Sequence, residues 1–160
     1  MMRIDNTPVI LLVRPQMGEN IGMAARAMAN FGLFELRLVA PRDGWGEGRA
    51  VYSAAIDTAV GAHAIVRDAK VYATVVDAVH DLHKVFATTA RERDQAKPVV
   101  SAEGFASEAK ARGGKGRVCA ARRVARSRTR GGYSDQNQRR RATGQLPAPP
   151  QWRATTAVFG

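Results

Sequence analysis

Apolar runs and segments of helical periodicity alternate from the start of the chain. Val9–Val13 is an apolar run closed by Pro15, which is typical of a strand buried on both faces of a parallel sheet. Small and apolar residues then recur at helical spacing over residues 21–31. We predict a helix there, with Asn20 as its N-cap and Gly32 as its end.

The same alternation continues to residue 112. The predicted strands are 36–39, 64–66, 71–72 and 84–88, and the predicted helices are 49–61, 75–80 and 101–112. Ser101 is the predicted N-cap of the last helix. Strand, helix and strand in regular succession indicate βαβ units, so we expect an α/β fold with a parallel sheet.

The pattern stops after Gly116. Large aliphatic side chains in residues 117–160 are confined to Val118, Val124, Leu146 and Val158. The same segment holds 10 of the 25 basic residues and 1 of the 14 acidic residues, so it carries +9 of the net charge of +11. Few aliphatics with a high net charge favour disorder. We therefore expect one domain over residues 1–116 and a basic, Pro- and Arg-rich tail over residues 117–160 that adds no strand to the sheet.

The residue composition limits the kinds of functional site that the chain can contain. The single cysteine, Cys119, excludes a disulfide within the chain and a multi-cysteine zinc site. The histidines, His63, His80 and His83, show no metal-ligand spacing with a carboxylate, so we assign no metal. The N-terminal apolar run is too short to cross a bilayer, so we expect a cytoplasmic protein without a membrane partner.

The first candidate site lies around the start of the helix predicted over residues 21–31. Its polar side chains are Arg14, Asn20 and Arg26, and Arg26 is flanked by the alanines at 25 and 27. Small neighbours let a substrate or another backbone approach a guanidinium closely. From the pattern alone, a solvated helix arginine without a ligand explains Arg26 equally well.

A second candidate site follows the strand predicted over residues 84–88. Hydroxyl groups and small side chains lie at or just beyond its carboxyl end, with a cation after them, at Thr88, Thr89, Ala90 and Arg91. Open parallel sheets bind ligands at that edge. The alternative is a threonine-rich strand end whose hydroxyls satisfy their own turn.

Both sites lie in segments that resemble one family. Residues 14–45, RPQMGENIGMAARAMANFGLFELRLVAPRDGW, resemble the first motif of the SpoU/TrmH branch of the SPOUT RNA methyltransferases. That motif has Asn-Ile-Gly, an arginine in an alanine-rich helix, Phe-Gly and a Leu-Val-x-Pro strand. Residues 85–99, VFATTARERDQAKPV, are similar to the Thr-Ser-Ala-Arg stretch of the branch that modifies the anticodon loop of tRNA. The resemblance covers about residues 7–118.

The resemblance implies a fold, a reaction and a partner. The implied fold is a Rossmann-like parallel sheet of the α/β-knot type, whose C-terminal knot holds S-adenosylmethionine. The implied reaction transfers a methyl group to a ribose 2′-hydroxyl of tRNA, or of rRNA. The implied assembly is a homodimer with its active site at the subunit interface.

The resemblance also implies residue roles. Arg26 corresponds to the catalytic arginine that contacts the target ribose and phosphate. The cofactor pocket would be lined by Thr88, Thr89 and Ala90. Substrate contacts would come from Asn20, Arg14 and Arg91.

The sequence departs from the family after residue 116. Neither the second motif, Phe-Gly-x-Glu-x-x-Gly-Leu, nor the third, Ser-Leu-Asn-Leu-x-x-Ala, is present. Two explanations stay open: a shortened or diverged relative, or a reading-frame shift near residues 116–119. The codons for residues 123–129, read one base later, permit Glu-Trp-Arg-Gly-Leu-Glu, which fits the second motif. In either case we expect the knot-forming part to be missing and this 160-residue product to be inactive.

Two alternatives belong to other classes of protein. A non-catalytic RNA-binding protein would use the α/β domain with the arginine-rich tail, and its affinity would fall steeply with salt. A dinucleotide-binding enzyme is disfavoured because the glycines after the first strand do not form G-x-G-x-x-G. Two aromatic residues near residue 45, Trp45 and Tyr52, either stack on a base or pack against their loop.

Overall fold

Seven strands form one sheet in the described part of the computed structural model, which covers residues 7–89, 99–111, 118–123 and 153–157. The strands are β1 Val9–Val13, β2 Leu36–Val39, β3 Lys70–Tyr72, β4 Lys84–Thr89, β5 Val99–Ser101, β6 Val118–Arg123 and β7 Arg153–Ala157. The helices are α1 Gly18–Asn30, α2 Ala50–Thr58, α3 His63–Arg67, α4 Val75–Val79 and α5 Ala102–Ala111.

The sheet is parallel except at one strand. The strand order is β3-β2-β1-β6-β4-β7-β5, and β7 pairs antiparallel with both of its neighbours. All pairings among β1, β2, β3, β4 and β6 are parallel. The α/β fold with a parallel sheet that the sequence predicted is therefore present.

Helices cover both faces of this sheet. Leu11 and Leu12 are adjacent in β1 but belong to different core clusters, because successive side chains of a strand point to opposite faces. The cluster on the α1–α3 face comprises Leu12, Ile21, Ala25, Met28, Leu36, Leu38, Ala55, Ala59, Ala62, Ile65 and Val66. The cluster on the α4 face comprises Val9, Leu11, Val39, Ala78, Val79, Leu82 and Val85.

Helices α1 and α2 approach to backbone contact through two glycines. A Cβ added at Gly18 would overlap the carbonyl oxygen of Val51, and one added at Gly22 would overlap Thr58 Oγ1. The earlier glycine meets the start of α2 and the later one its end, so the helices run in the same direction. Their N-termini therefore lie side by side at the carboxyl edge of the sheet.

The ends of α1 confirm one prediction and correct another. Gly32, with φ of 67°, ends the helix: its N–H donates to Ala29 O at 3.2 Å, and the next N–H, of Leu33, donates to Met28 O at 2.9 Å. The predicted Asn20 cap is wrong, because the helix begins at Gly18 and Asn20 lies inside its first turn. Gly18, the first residue of the helix, is packed closely against α2.

A second correction concerns residues 64–66, which are part of helix α3 and not a strand. Ala62, Ile65 and Val66 are all buried, and their spacing is that of one helical face. A short apolar run does not distinguish a strand from a buried helix, which is why the pattern misled. The predicted cap of α5 is confirmed, since Ser101 Oγ accepts the N–H of Gly104 at 3.0 Å.

The expectation that no strand follows Gly116 is also wrong. β6 lies between β1 and β4, and β7 lies between β4 and β5. Main-chain hydrogen bonds make such pairings without requiring large aliphatic side chains, so the apolar pattern did not signal them. The division of the chain at residue 116 stays a prediction.

Candidate active site at the carboxyl edge of the sheet

The strand order creates a crevice at the carboxyl edge. From β1 the chain moves outward to β2 and β3, and it then crosses through α4 to β4 on the far side of β6. The carboxyl ends of β1, β6 and β4 flank the point where this direction reverses. In open α/β sheets, ligands bind at such a switch point.

Arg14 leaves β1 at this crevice. It is exposed, and its φ of 51° is uncommon for a residue with a side chain. Its N–H donates to Val39 O at 2.8 Å, and its carbonyl accepts a hydrogen bond from Gln16 Nε2 at 3.1 Å. These bonds hold the unusual backbone, so Arg14 is fixed at the edge where the family resemblance places a substrate contact.

The loops after β1 and β2 are joined to each other. The N–H of Arg42 donates to Pro15 O at 3.0 Å, and Pro15 is buried. Asn20, in the first turn of α1, is exposed beside these loops because α1 begins at the carboxyl edge. The structure therefore brings Arg14 and Asn20 to the same edge.

Arg26 lies away from that edge. It is exposed and follows Gly18 by eight positions in α1, which corresponds to about 12 Å along the helix axis. Because α1 connects two parallel strands, it runs back toward the amino edge of the sheet. The structure thus does not bring Arg26 to the end of β4 within one chain.

The second candidate segment lies at the end of β4. Val85 and Phe86 are buried, whereas Ala87 and Thr88 are partly exposed, so the strand opens toward its carboxyl end. Thr88 pairs with position 122 of β6 and position 154 of β7. Thr89 ends the strand, and the predicted site residues Ala90 and Arg91 lie outside the described residues.

Helix α5 supports β4 from one face. The Phe86 ring meets the Phe105 ring edge to face, with centroids 4.9 Å apart and an interplanar angle of 74°. Lys84 forms a half-buried ion pair with Glu108 and lies over the Phe86 ring at 5.1 Å. These contacts fix the strand whose far end carries Thr88.

The most buried charged group among the described residues was not identified from the sequence. Arg37 in β2 is 1% exposed, and its guanidinium donates hydrogen bonds to Asp81, to Glu35 and to the carbonyl of Ala78. The hydrogen bond to Asp81 raises the pKa of Arg37 above its ordinary value, against the desolvation that burial imposes. An arginine inside an apolar strand was the available signal. Because Glu35 precedes β2, this group lies at the amino edge and supports the fold, not the site.

The described ranges contain no group of three or more histidine, cysteine, aspartate or glutamate residues that could hold a metal ion. Within the same ranges no helix has the length and apolar character needed to span a membrane.

The fold and the crevice define an open α/β protein of the class that binds ligands at the carboxyl ends of parallel strands. The chain belongs to the SpoU rRNA methylase family, whose model matches residues 7–112. The predicted resemblance and fold class are therefore confirmed.

Individual relatives agree with the family. The chain is 37% identical over 90 residues to the uncharacterized tRNA/rRNA methyltransferase LasT of Escherichia coli K12. This match covers 52% of this chain and 34% of the relative. It is 39% identical over 80 residues to the tRNA (cytidine-2′-O-)-methyltransferase TrmJ of Methanocaldococcus jannaschii, covering 50% of this chain and 32% of the relative.

A solved structure gives the same result. The crystal structure of TrmJ from Z. mobilis ZM4 superposes with a TM-score of 0.64 and 47% identity, over 72% of this chain and 50% of that one. The matches to the E. coli and M. jannaschii relatives are shorter and span about a third of the length of each relative.

Proposed function

We propose that the family segment of this chain, residues 7–112, contributes to the methyl-transfer site of an RNA methyltransferase that acts on a ribose 2′-hydroxyl of tRNA. Transfer by the 160-residue product itself is a separate question, because the sequence predicts that its knot-forming part is missing. The observation that carries the proposal is the position of the family segment, which forms the crevice at the switch point with Arg14, Asn20 and Thr88 around it. The M. jannaschii relative is a tRNA (cytidine-2′-O-)-methyltransferase, which supports tRNA as substrate. The name of the E. coli relative keeps rRNA as a second candidate.

The proposed cofactor is S-adenosylmethionine, which supplies an electrophilic methyl group. The end of β4 suits an adenosyl group, because Ala87 and Thr88 are small, partly exposed and at the ligand-binding edge. Thr88, Thr89 and Ala90 would hold it. The remaining task of the protein is to orient the ribose oxygen in line with the methyl group and to help remove its proton.

Arg26 is proposed as the group that orients the RNA. A guanidinium stays charged at any physiological pH and holds phosphate with two parallel hydrogen bonds, which suits it to positioning more than to accepting a proton. Asn20, Arg14 and Arg91 are proposed to contact the substrate beside it.

In a homodimer, Arg26 would orient the RNA at the crevice of the partner subunit, because it lies far from the crevice of its own chain. Met17, Met23 and Phe31 are exposed on or next to α1, and at 100° per residue they fall within about a third of the helix circumference. We name these three residues the α1 stripe. A second copy that covers the α1 stripe would bring its own Arg26 toward the crevice of the first. We place the proposed enzyme in the cytoplasm, with its RNA substrate.

Titration of S-adenosylhomocysteine into the purified chain tests the donor site. The comparison is a variant with one base restored before codon 118, and tRNA methylation is measured on both. Binding and transfer by the 160-residue chain support the proposal for this chain. Binding by the restored variant alone assigns the activity to that product, and binding by neither contradicts the proposal.

A further inference from the structure

The loop between β2 and α2, residues 40–49, is rich in glycine and mostly exposed. Of its residues, Gly44, Gly46 and Gly48 have φ of 83°, 125° and 82°. A Cβ at Gly46 or Gly48 would meet no atom within 4 Å, so packing does not require glycine there. The loop leaves β2 at the carboxyl edge, and Arg42 ties it to the loop that carries Arg14.

Trp45 in this loop forms an aromatic pair with Tyr52, which lies in the first turn of α2. The rings of Trp45 and Tyr52 meet edge to face, with centroids 5.2 Å apart and an interplanar angle of 82°. Both side chains are partly buried and pack on the core cluster beneath α1–α3. Support from Tyr52 and the core holds the indole in one orientation while part of it stays accessible. A rigid, partly exposed indole is a surface on which a planar base can stack.

The charges of the loop favour stacking over attraction to the RNA backbone. Arg42 and Arg49 are balanced by Asp43 and Glu47, so the loop is neutral overall. The Arg42–Asp43 pair, at 3.4 Å, has both side chains exposed and contributes little. A neutral aromatic loop recognises an unpaired base better than a duplex, whose bases are already stacked.

We propose that Trp45, supported by Tyr52, is a stacking platform for an unpaired base of the RNA, next to the nucleotide presented at the crevice. The inference rests on the proposed function in taking RNA as the ligand. It adds a specificity element: the protein selects single-stranded loops through an aromatic surface that is separate from Arg26 and from the end of β4.

The test uses Trp45 as its own reporter. The chain has two tryptophans, so replacing the other one in Trp152→Phe leaves Trp45 as the single source of indole emission. This variant is titrated with an RNA hairpin that has an unpaired loop and with a blunt duplex. We expect the hairpin, and not the duplex, to quench Trp45.

Substitution of Trp45 measures how much stacking contributes to the affinity for the hairpin. Trp45→Leu should weaken hairpin binding about tenfold, which is typical of one base stacked on an aromatic ring. Because stacking is not ionic, that factor should be the same at low and high salt. Arg67→Ala, an exposed arginine at the amino edge of the sheet, is the matched control and should leave binding unchanged. Circular dichroism checks that each variant is folded.

The outcomes separate the two proposals. An unquenched Trp45 with either RNA overturns the stacking platform, whether or not Trp45→Leu folds. If tRNA methylation is nevertheless observed, the proposed function stands without the platform. If the hairpin quenches Trp45 while neither this chain nor the restored one binds S-adenosylhomocysteine, the platform stands and the methyl-transfer proposal fails.

Discussion

Arg37 and Asp81 form a two-point ion pair across 44 positions of the sequence, with Nη1–Oδ1 of 2.6 Å and Nη2–Oδ2 of 2.7 Å. The pair connects β2 to the turn between α4 and β4. It therefore holds the crossover that carries the chain from one side of β6 to the other.

Removing the carboxylate of this pair should destabilise the protein strongly. Asp81→Asn leaves a buried guanidinium without its main partner, which costs about 3 kcal/mol in the free energy of unfolding. Urea denaturation measures the change. Asp43→Asn, which breaks the exposed pair with Arg42, is the control and should change stability by less than about 0.5 kcal/mol. Equal effects from the two variants would contradict a special role for Arg37.

Replacing glycine by alanine should have opposite effects at Gly22, which lies in the contact between α1 and α2, and at Gly104, which lies in α5 outside that contact. Gly22→Ala should lower the free energy of unfolding by about 2 kcal/mol, because its methyl group would overlap Thr58 Oγ1 and the backbone of α2. Gly104→Ala in α5 meets its nearest neighbour, Ser101 Oγ, at 3.4 Å and should stabilise by about 0.5 kcal/mol through helix propensity. Thermal unfolding distinguishes the two, and a neutral Gly22→Ala would show that the helices separate easily.

Arg26→Ala should reduce methyl transfer without affecting donor binding. Loss of the positioning group lowers kcat by roughly a hundredfold. The dissociation constant of S-adenosylhomocysteine should stay the same, since the proposed donor site lies at β4. The measurement is made on whichever of the two chains binds the donor, with Arg67→Ala as control. A normal kcat in the Arg26→Ala variant would show that Arg26 is a solvated helix arginine without a role in methyl transfer.

Mixing two inactive variants tests whether Arg26 acts across subunits. If it does, a mixed dimer of Arg26→Ala with Thr88→Arg contains one intact site, made from the unmodified Arg26 and the unmodified Thr88. We expect activity to reappear on mixing. Mixtures that remain inactive, although mass spectrometry detects the mixed dimer, would place the two residues in the same chain's site.

The α1 stripe predicts the oligomeric state. Met23→Asp should convert the proposed dimer to monomer in sedimentation, because a charge would be buried at the proposed contact. A parent chain that already sediments as a monomer would contradict the dimer. Val76→Asp, on the exposed side of α4 and 71% accessible, should leave the dimer intact. Dissociation by both variants would indicate general destabilisation instead.

The strands β1, β2 and β4 were predictable because each is a short apolar run buried on both faces. The run at residues 64–66 failed because its length fits a strand and a helical turn equally well. β6 and β7 failed for a different reason, since backbone pairing leaves little trace in the side-chain pattern.

The candidate site and the buried ion pair that supports the fold differed in what the sequence indicated. Arg14, Asn20 and Thr88 were predicted as site residues because they flank recognisable elements, which the structure brings to one edge. Their roles stay predictions. Arg37 was missed because its main partner, Asp81, lies 44 positions away in the sequence, although its second partner, Glu35, is two positions from it. Pairing between remote positions is not visible in periodicity.

The central position of β6 also dictates an order of assembly during synthesis. Val9, at the start of β1, pairs with Cys119, and Val85 in β4 pairs with the same residue from the other side. The two halves of the sheet therefore remain separate on the ribosome until about residue 123 has emerged. Such distant parallel pairing closes slowly, so the nascent N-terminal half is the stage at which a chaperone would have the longest time to act.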